Sequence, residues 1–561
     1  MVPETLIKEV KKSKVKSLDL SSLDLSNIPE MVKELYWLEE LILEKNKLKD
    51  ISILSHLTNL KRLNLFKNQL KDLSSLANLN QLQRLDISYN QVDDLIPLDN
   101  LTRFEFLDIS NNQIRSLHPL KSLILSQIDV KWKAGNYYTS RGIYVQNNPL
   151  TDPPLEIVQK GAQPVYNFFQ ELEQGDETVY EAKLLIIGEA GVGKTTLARK
   201  LQNLKAELPD SINDTTRGID VKTLSFPAKA GEPKFKINIW DFGGQAIYHT
   251  THQFFLSKRA LYIMVLDGRK EEKPQQYWLR IQELLGGNSP LLILTNVKGS
   301  IGSDIHIVEL MEDFPNIKQY FKINLKEDED GINSFLKIIE KKLRELPHLL
   351  EGEKLPKSWN SIRKKLELER KRRSFITDVS FRNICKDSGI TDWNKQNFVG
   401  EYLHDLGVIL YFRDHPLLKK MVILNTKWAT DAVYAVLDHT KTNSSYATFN
   451  REALKKLWKK ELYDGVYDQL LALMEKFELC YQLPYNRTQY IIPELLPLEP
   501  KRSVWNNQDN LRLIFKYTFL PKGVLTRLIV RLHHLISLNN KDINGKGAVW
   551  KRGAILVKEQ N

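Results

Sequence analysis

Four asparagines, Asn46, Asn68, Asn90 and Asn112, stand 22 residues apart, each at the same place in a leucine-spaced phrase. The phrases read LEELILEKNKL from Leu38, LKRLNLFKNQL from Leu60, LQRLDISYNQV from Leu82 and FEFLDISNNQI from Phe104. One such unit cannot bury its own leucines, so in-phase repetition demands stacked neighbours sharing a continuous core. The pattern predicts a leucine-rich-repeat solenoid over 1–152. Each repeat supplies a short strand, and its asparagine bonds the backbone where the chain leaves that strand. A degenerate first copy surrounds Leu18 and Leu20. A last one carries Ile143, Val145, Asn148 and Leu150, after an irregular insertion from Trp132 to Tyr138. Residues flanking the strand leucines stack on the concave side in three columns: Glu40, Arg62, Arg84, Phe106; Ile42, Asn64, Asp86, Asp108; and Glu44, Phe66, Ser88, Ser110. Phenylalanines beside arginines suit interface anchors, so a protein ligand is expected there, centred on Arg62, Phe66 and Phe106.

At 561 residues the chain holds several domains. Pro153 and Pro154 end the array, and 153–177 is expected as a linker helix. From 178 to 350 the pattern alternates between apolar strands and helices of period 3.6. The strands are LLIIG (184–188), IDVKTLSF (219–226), FKINIWD (235–241), ALYIMVLD (260–267), PLLILTNV (290–297) and YFKINL (320–325). A Gly/Pro/Lys stretch joins the second to the third, which predicts a hairpin within a doubly wound α/β sheet. Residues 355–500 mix helical and alternating stretches and read as a winged-helix-like half-domain. Residues 501–561 begin a second half that stops early.

The net charge is +12, but the signs are interleaved. The basic run from Arg363 to Arg373 contains Glu367 and Glu369, as a solvated helix does, so no nucleic-acid partner is expected. Two cysteines, Cys385 and Cys480, make no disulfide framework. No apolar run approaches the ~18–20 residues of a membrane span. A cytoplasmic location is expected.

The chemistry lies in the middle domain. Gly188-Glu189-Ala190-Gly191-Val192-Gly193-Lys194-Thr195 matches GxxxxGK[ST] after a strand and before the helix TTLARKLQNL that includes Thr196. Glycines let successive N–H groups point at phosphate oxygens. Lys194 neutralises the β- and γ-phosphates and the Thr195 hydroxyl holds Mg²⁺. Asp241-Phe-Gly-Gly244-Gln245 closes the third strand. No HRDxxxxN loop precedes it, which excludes the kinase reading of DFG. As DxxGQ, it assigns Asp241 to the metal through water, the Gly244 N–H to the γ-phosphate and Gln245 to the attacking water. Between the two motifs, Thr216 is the switch threonine and second protein ligand of Mg²⁺, with Thr215 as the alternative. Lys194, Thr216 and Gln245 are thus the candidate catalytic residues. The base-reading motif [NT]KxD departs from its pattern. Aligned on Thr295 its aspartate position is Lys298, and aligned on Asn296 it is Gly299. Asp304 is a remote substitute. Asn296 and Lys298 are expected near the base, with Asn324-Leu325-Lys326 offering a backbone amide to guanine O6. His249 and His252 form an HxxH without a third ligand, and read as ordinary histidines.

These pieces in this order resemble the Roco family: leucine-rich repeats, a Roc GTPase domain and a C-terminal-of-Roc (COR) domain. The stretches HTTHQFFLSKRALYIMVLDGR, YWLRIQELLGGNSP, SGITD, YLHDLGVILYF, KFELCY and IIPELLP are similar to prokaryotic members. The resemblance implies a multidomain fold: a solenoid, a central α/β Ras-like P-loop domain and an α+β COR domain. It also implies a slow GTPase switch using GTP/GDP and Mg²⁺, and a homodimer formed through COR. The alternative is a non-catalytic nucleotide-binding scaffold with relaxed base specificity. Ala246 follows Gln245 where the family usually has glutamate.

Overall fold

The structure, a computed structural model, describes residues 3–207, 219–226, 234–243, 256, 260–268, 275–287, 289–297, 307–346, 352–444, 447–483, 486–499, 514–517, 519–521, 523–536 and 549–556. Two compact units emerge. One joins Met1–Val179 to Pro347–Lys365 and Ile384–Asp405, and the other holds Tyr180–Leu346, Leu366–Asn383 and Leu406–Asn561.

In the first unit, helix α1 (Pro3–Ser13) precedes the repeat strands β1 (Ser17–Asp19), β2 (Glu40–Ile42), β3 (Arg62–Asn64), β4 (Arg84–Asp86) and β5 (Phe106–Asp108). Helix α2 (Lys121–Leu125), β6 (Val130–Lys131) and β7 (Gly142–Tyr144) follow, and the sheet runs β1-β2-β3-β4-β5-β7-β6. The asparagine ladder forms as expected. Asn68 Nδ2 donates to the carbonyls of Leu43 (3.0 Å) and Leu65 (3.1 Å), and its Oδ1 accepts the Leu48 N–H (3.0 Å). Asn90, Asn112 and Asn148 repeat this pattern. A carboxamide has both the donor and the acceptor this buried turn needs, whereas a carboxylate lacks the donor.

The insertion corrects the expected anchor set. Its loop folds back over the concave face: the Gly135 N–H donates to Asp108 Oδ2 (2.7 Å), and Arg84 donates to the carbonyls of Tyr137 (2.8 Å) and Ser140 (2.8 Å). Phe106 is consequently 0% exposed, beneath Tyr137 and Tyr144, and cannot anchor a ligand. Arg62 and Phe66 keep part of their surface. The stretch expected as one linker helix is two, α3 (Leu155–Val158) and α4 (Ala162–Leu172), broken at Gly161 with φ 100°. Strand β8 (Asp176–Val179) then pairs antiparallel with the distant strand Glu353–Pro356. Trp359, 2% exposed, packs against Phe168, Phe398 and Tyr402. Beside them buried Glu171 pairs with Lys395 at 2.8 Å.

The second unit contains the doubly wound sheet: β9 (Glu181–Ile187), β10 (Ile219–Phe226), β11 (Phe235–Phe242), β12 (Ala260–Asp267), β13 (Leu291–Asn296) and β14 (Ile317–Ile323). Among the described residues the order is β10-β11-β9-β12-β13-β14, with the β10–β11 hairpin antiparallel and the other pairs parallel. β12 and β13 are buried throughout, which is why they read as unbroken apolar runs. Helices α5 (Lys194–Gln202), α6 (Gln275–Gly286), α7 (Ile307–Asp313) and α8 (Glu329–Arg344) accompany the strands. Later residues of the unit add two three-stranded sheets and the helix Thr426–Asn443. One apolar core runs from Leu185, Trp240 and Phe242 of the large sheet to Leu410, Met421 and Val433. At Gly407 (φ 73°) a Cβ would lie 2.9 Å from the Trp240 ring, so close packing there requires glycine.

Candidate nucleotide site

Strand β9 delivers the chain to the glycine loop and α5 carries it away. Gly188 has φ 139°, and a Cβ on it would lie 2.4 Å from the Val265 carbonyl. Gly193 has φ 109°, and a Cβ there would lie 2.6 Å from Asn296 Nδ2. Both positions exclude a side chain by backbone angle and by space, leaving a cradle of bare peptide. Helix α5 begins at Lys194, so Thr195 and Thr196 sit in its first turn, where the backbone N–H direction and the helix dipole favour an anion. The Lys194 ammonium is buried and donates to the carbonyls of Gly188 (2.9 Å) and Glu189 (2.6 Å), spanning the loop. Glu189 accepts a hydrogen bond from Trp278 Nε1 of α6 (3.2 Å), a link between loop and helix with no signature in the sequence.

Asp241 lies in β11 opposite Ile186 of β9, at the strand ends that face the loop, and is 0% exposed. Its carboxylate and the Thr195 hydroxyl are hard oxygen donors of the kind magnesium takes. Thr216, Gly244, Gln245 and Lys298 lie outside the described residues, as do Thr215, Ala246, His249, His252, Gly299 and Asp304.

Asn296 and Thr295, the two candidate first residues of the base-reading motif, make different contacts. Its Nδ2 donates to the Val192 carbonyl of the glycine loop (2.9 Å), and its Oδ1 accepts the Leu325 N–H (3.2 Å). Thr295 instead accepts from the Tyr320 hydroxyl (3.1 Å) inside the sheet. Asn296 therefore ties the phosphate loop to the 324–326 loop. It is 4% exposed. Asn324 Oδ1 accepts the Lys326 N–H (2.9 Å). A bound base would have to share the amides of Leu325 and Lys326 with these partners.

Family models match in the same order as the architecture: "Leucine Rich repeats (2 copies)" over 36–78 and 80–122, "Ras of Complex, Roc, domain of DAPkinase" over 183–298, "C-terminal of Roc, COR-A domain" over 356–496 and "C-terminal of Roc, COR-B domain" over 508–561. The chain belongs to the Roco family. This Roco protein is 28% identical over 456 residues to "Probable serine/threonine-protein kinase pats1" of Dictyostelium discoideum, covering 73% of the chain and 14% of that protein. It is 27% identical over 444 residues to "Roc-COR-CHAT protease" of Runella zeae, covering 74% of the chain and 46% of that protein. It thus spans less than half the length of either relative. A solved structure, Methanosarcina barkeri Roco2 RocCORdC bound to GDP, is 34% identical, with 57% of this chain and 98% of that one covered and a TM-score of 0.46. The Roc match makes the central domain a P-loop domain of the GTPase family. No helix among the described residues is long and apolar enough to cross a membrane.

Proposed function

We propose that this Roco protein is a slow GTP-hydrolysing switch whose selection of guanine is relaxed. The observation that carries this reading is the Asn296 tether, which joins the phosphate loop to the 324–326 loop and so supports the register that puts Gly299 where a carboxylate would read guanine. Lys194 counters phosphate charge, and Thr195, Thr216 and Asp241 (through water) hold Mg²⁺. The metal, when bound, supplies positive charge to the β- and γ-phosphate oxygens. Gln245 orients the attacking water and Gly244 donates its N–H to the γ-phosphate. Switch segments near 206–220 and 242–258 respond to the nucleotide. The core shared by Trp240 and Phe242 with Leu410 and Met421 supports a route from there into COR. COR carries homodimerisation, supported by exposed Ile514, Phe515 and Tyr517 within the COR-B match. The concave repeat face takes a protein ligand.

Guanine N1–H and N2–H lose their charged acceptor when position 299 is glycine, about 1.5–3 kcal/mol or ~10- to 100-fold in affinity. Titrating GTP, GDP and ATP with magnesium into the full chain tests the reading. The unsubstituted protein should prefer GTP over ATP by less than ~100-fold. Gly299→Asp should sharpen that preference and Lys298→Asp should not. Strict exclusion of ATP by the unsubstituted protein would show that another group reads the base.

A further inference from the structure

A loop that cradles phosphates has no evident use for a carboxylate, yet the second residue of this one is Glu189. The pattern GxxxxGK[ST] leaves that position open. An anion there opposes the charge the loop receives, and opposes a triphosphate more than a diphosphate.

The hydrogen bonds show where this carboxylate goes. The Glu189 carbonyl accepts from the Lys194 ammonium (2.6 Å), while its side chain runs to α6 and accepts from Trp278 Nε1 (3.2 Å). The residue is therefore held from two sides, its backbone by the lysine and its charge by the indole. Trp278 is not free to swing with it. The ring is 2% exposed, in an apolar core with Leu185, Ile187, Tyr262 and Met264, so close packing fixes the direction of its N–H. Ala190 and Gly191, the next two residues of the loop, are exposed. Glu189 closes one side of that open stretch, and Val192, whose carbonyl Asn296 bonds, closes the other.

We propose that Trp278 is a positioning residue for nucleotide binding: by holding the Glu189 carboxylate at α6 it keeps that charge off the phosphates, and the triphosphate gains most. This rests on the reading of the loop as a nucleoside-triphosphate site. Released from the indole, the carboxylate can turn back on the phosphates it repels. A bond that only braced the loop would serve both nucleotides equally and would not depend on charge.

The test titrates a fluorescent GDP analogue and a fluorescent non-hydrolysable GTP analogue into the full chain with magnesium, with circular dichroism verifying folding. Trp278→Phe keeps an aromatic ring and removes the donor. It should weaken the triphosphate about tenfold and the diphosphate about threefold, since the bond lost is one to a charged group. On a Glu189→Gln background, which has no charge to release, the same substitution should cost less than about threefold for either nucleotide. Glu189→Asp covers the case in which the core variant misfolds. It keeps the charge, falls one methylene short of Trp278, and should weaken the triphosphate as Trp278→Phe does. Triphosphate binding within about threefold of the unsubstituted protein in both Trp278→Phe and Glu189→Asp overturns the proposal. So does an equal loss for the two nucleotides, or a loss undiminished on the Glu189→Gln background, because the bond would then only brace the loop. If the unsubstituted chain binds neither nucleotide, the phosphate site itself fails and this proposal fails with it.

Discussion

Asn296→Ala removes one side chain that two loops depend on. The carboxamide bonds the Val192 carbonyl at 2.9 Å and the Leu325 N–H at 3.2 Å, in a position 4% exposed. Two hydrogen bonds are worth about 1 kcal/mol each net, and the buried carbonyl and amide left behind add ~1–3 kcal/mol. The loss is therefore about 3–5 kcal/mol of local order that bound nucleotide must restore. If two-thirds of it falls on binding, affinity drops ~30- to 300-fold. The control is Thr295→Val, one residue earlier in β13, which gives up the bond from Tyr320 and should change affinity less than ~3-fold. A fluorescent GDP analogue titrated into each full chain with magnesium measures both, and circular dichroism verifies folding. Asn296→Ala binding within threefold of the unsubstituted protein would refute the tether. A large loss in Thr295→Val alone would move the aspartate position back to 298.

Lys194→Ala should lose the thermal shift given by nucleotide and magnesium, since a ligand at ~100–1,000 times its Kd adds about 3–4 kcal/mol; equal shifts in both proteins would sink the phosphate site. Gln245→Leu should lower phosphate release from a rate already near ~10⁻⁴ s⁻¹, and unchanged release would remove Gln245 from the mechanism. Burial pushes the Asp86 carboxyl up from 3.8 to about 7. The folded repeats then hold a proton that the unfolded chain has released, so this group's contribution to stability declines as pH rises from about 4 to 7. Asp86→Asn should abolish that decline and raise stability near pH 8 by ~2–4 kcal/mol, read from urea denaturation at several pH values. Asn64 holds the equivalent place in β3 and its Oδ1 accepts the Phe66 N–H, so the amide fits; a pH slope unchanged in the variant would refute the assignment.

What the sequence disclosed follows from periodicity. The ladder asparagines, the hairpin of β10 and β11 and the glycine loop all express themselves within a few residues of chain, and each appears where its spacing put it. The fate of Phe106 does not, because it depends on an aperiodic loop folding back onto its ring. The pairing of β8 with Glu353–Pro356 joins residues separated by the whole Roc domain, beyond any local pattern. Two adjacent side chains, Thr295 and Asn296, fit the base motif equally as letters. Only their hydrogen bonds separate them: one ends inside the sheet, the other reaches the phosphate loop.

That distant pairing has a mechanical meaning. β8 and Glu353–Pro356 lie antiparallel, with Val179 opposite Glu353 on the side nearer Roc and Asp176 opposite Pro356 on the other. The Lys357 N–H bonds the Gly175 carbonyl at 3.0 Å and lengthens the seam. In topology Roc is the loop of an oversized hairpin. Tension applied at Gly175 and Lys357 themselves meets the seam end-on and must open it rung by rung, starting from that pair. Along the backbone, Tyr180–Leu346 takes up that tension only after the last rung has parted.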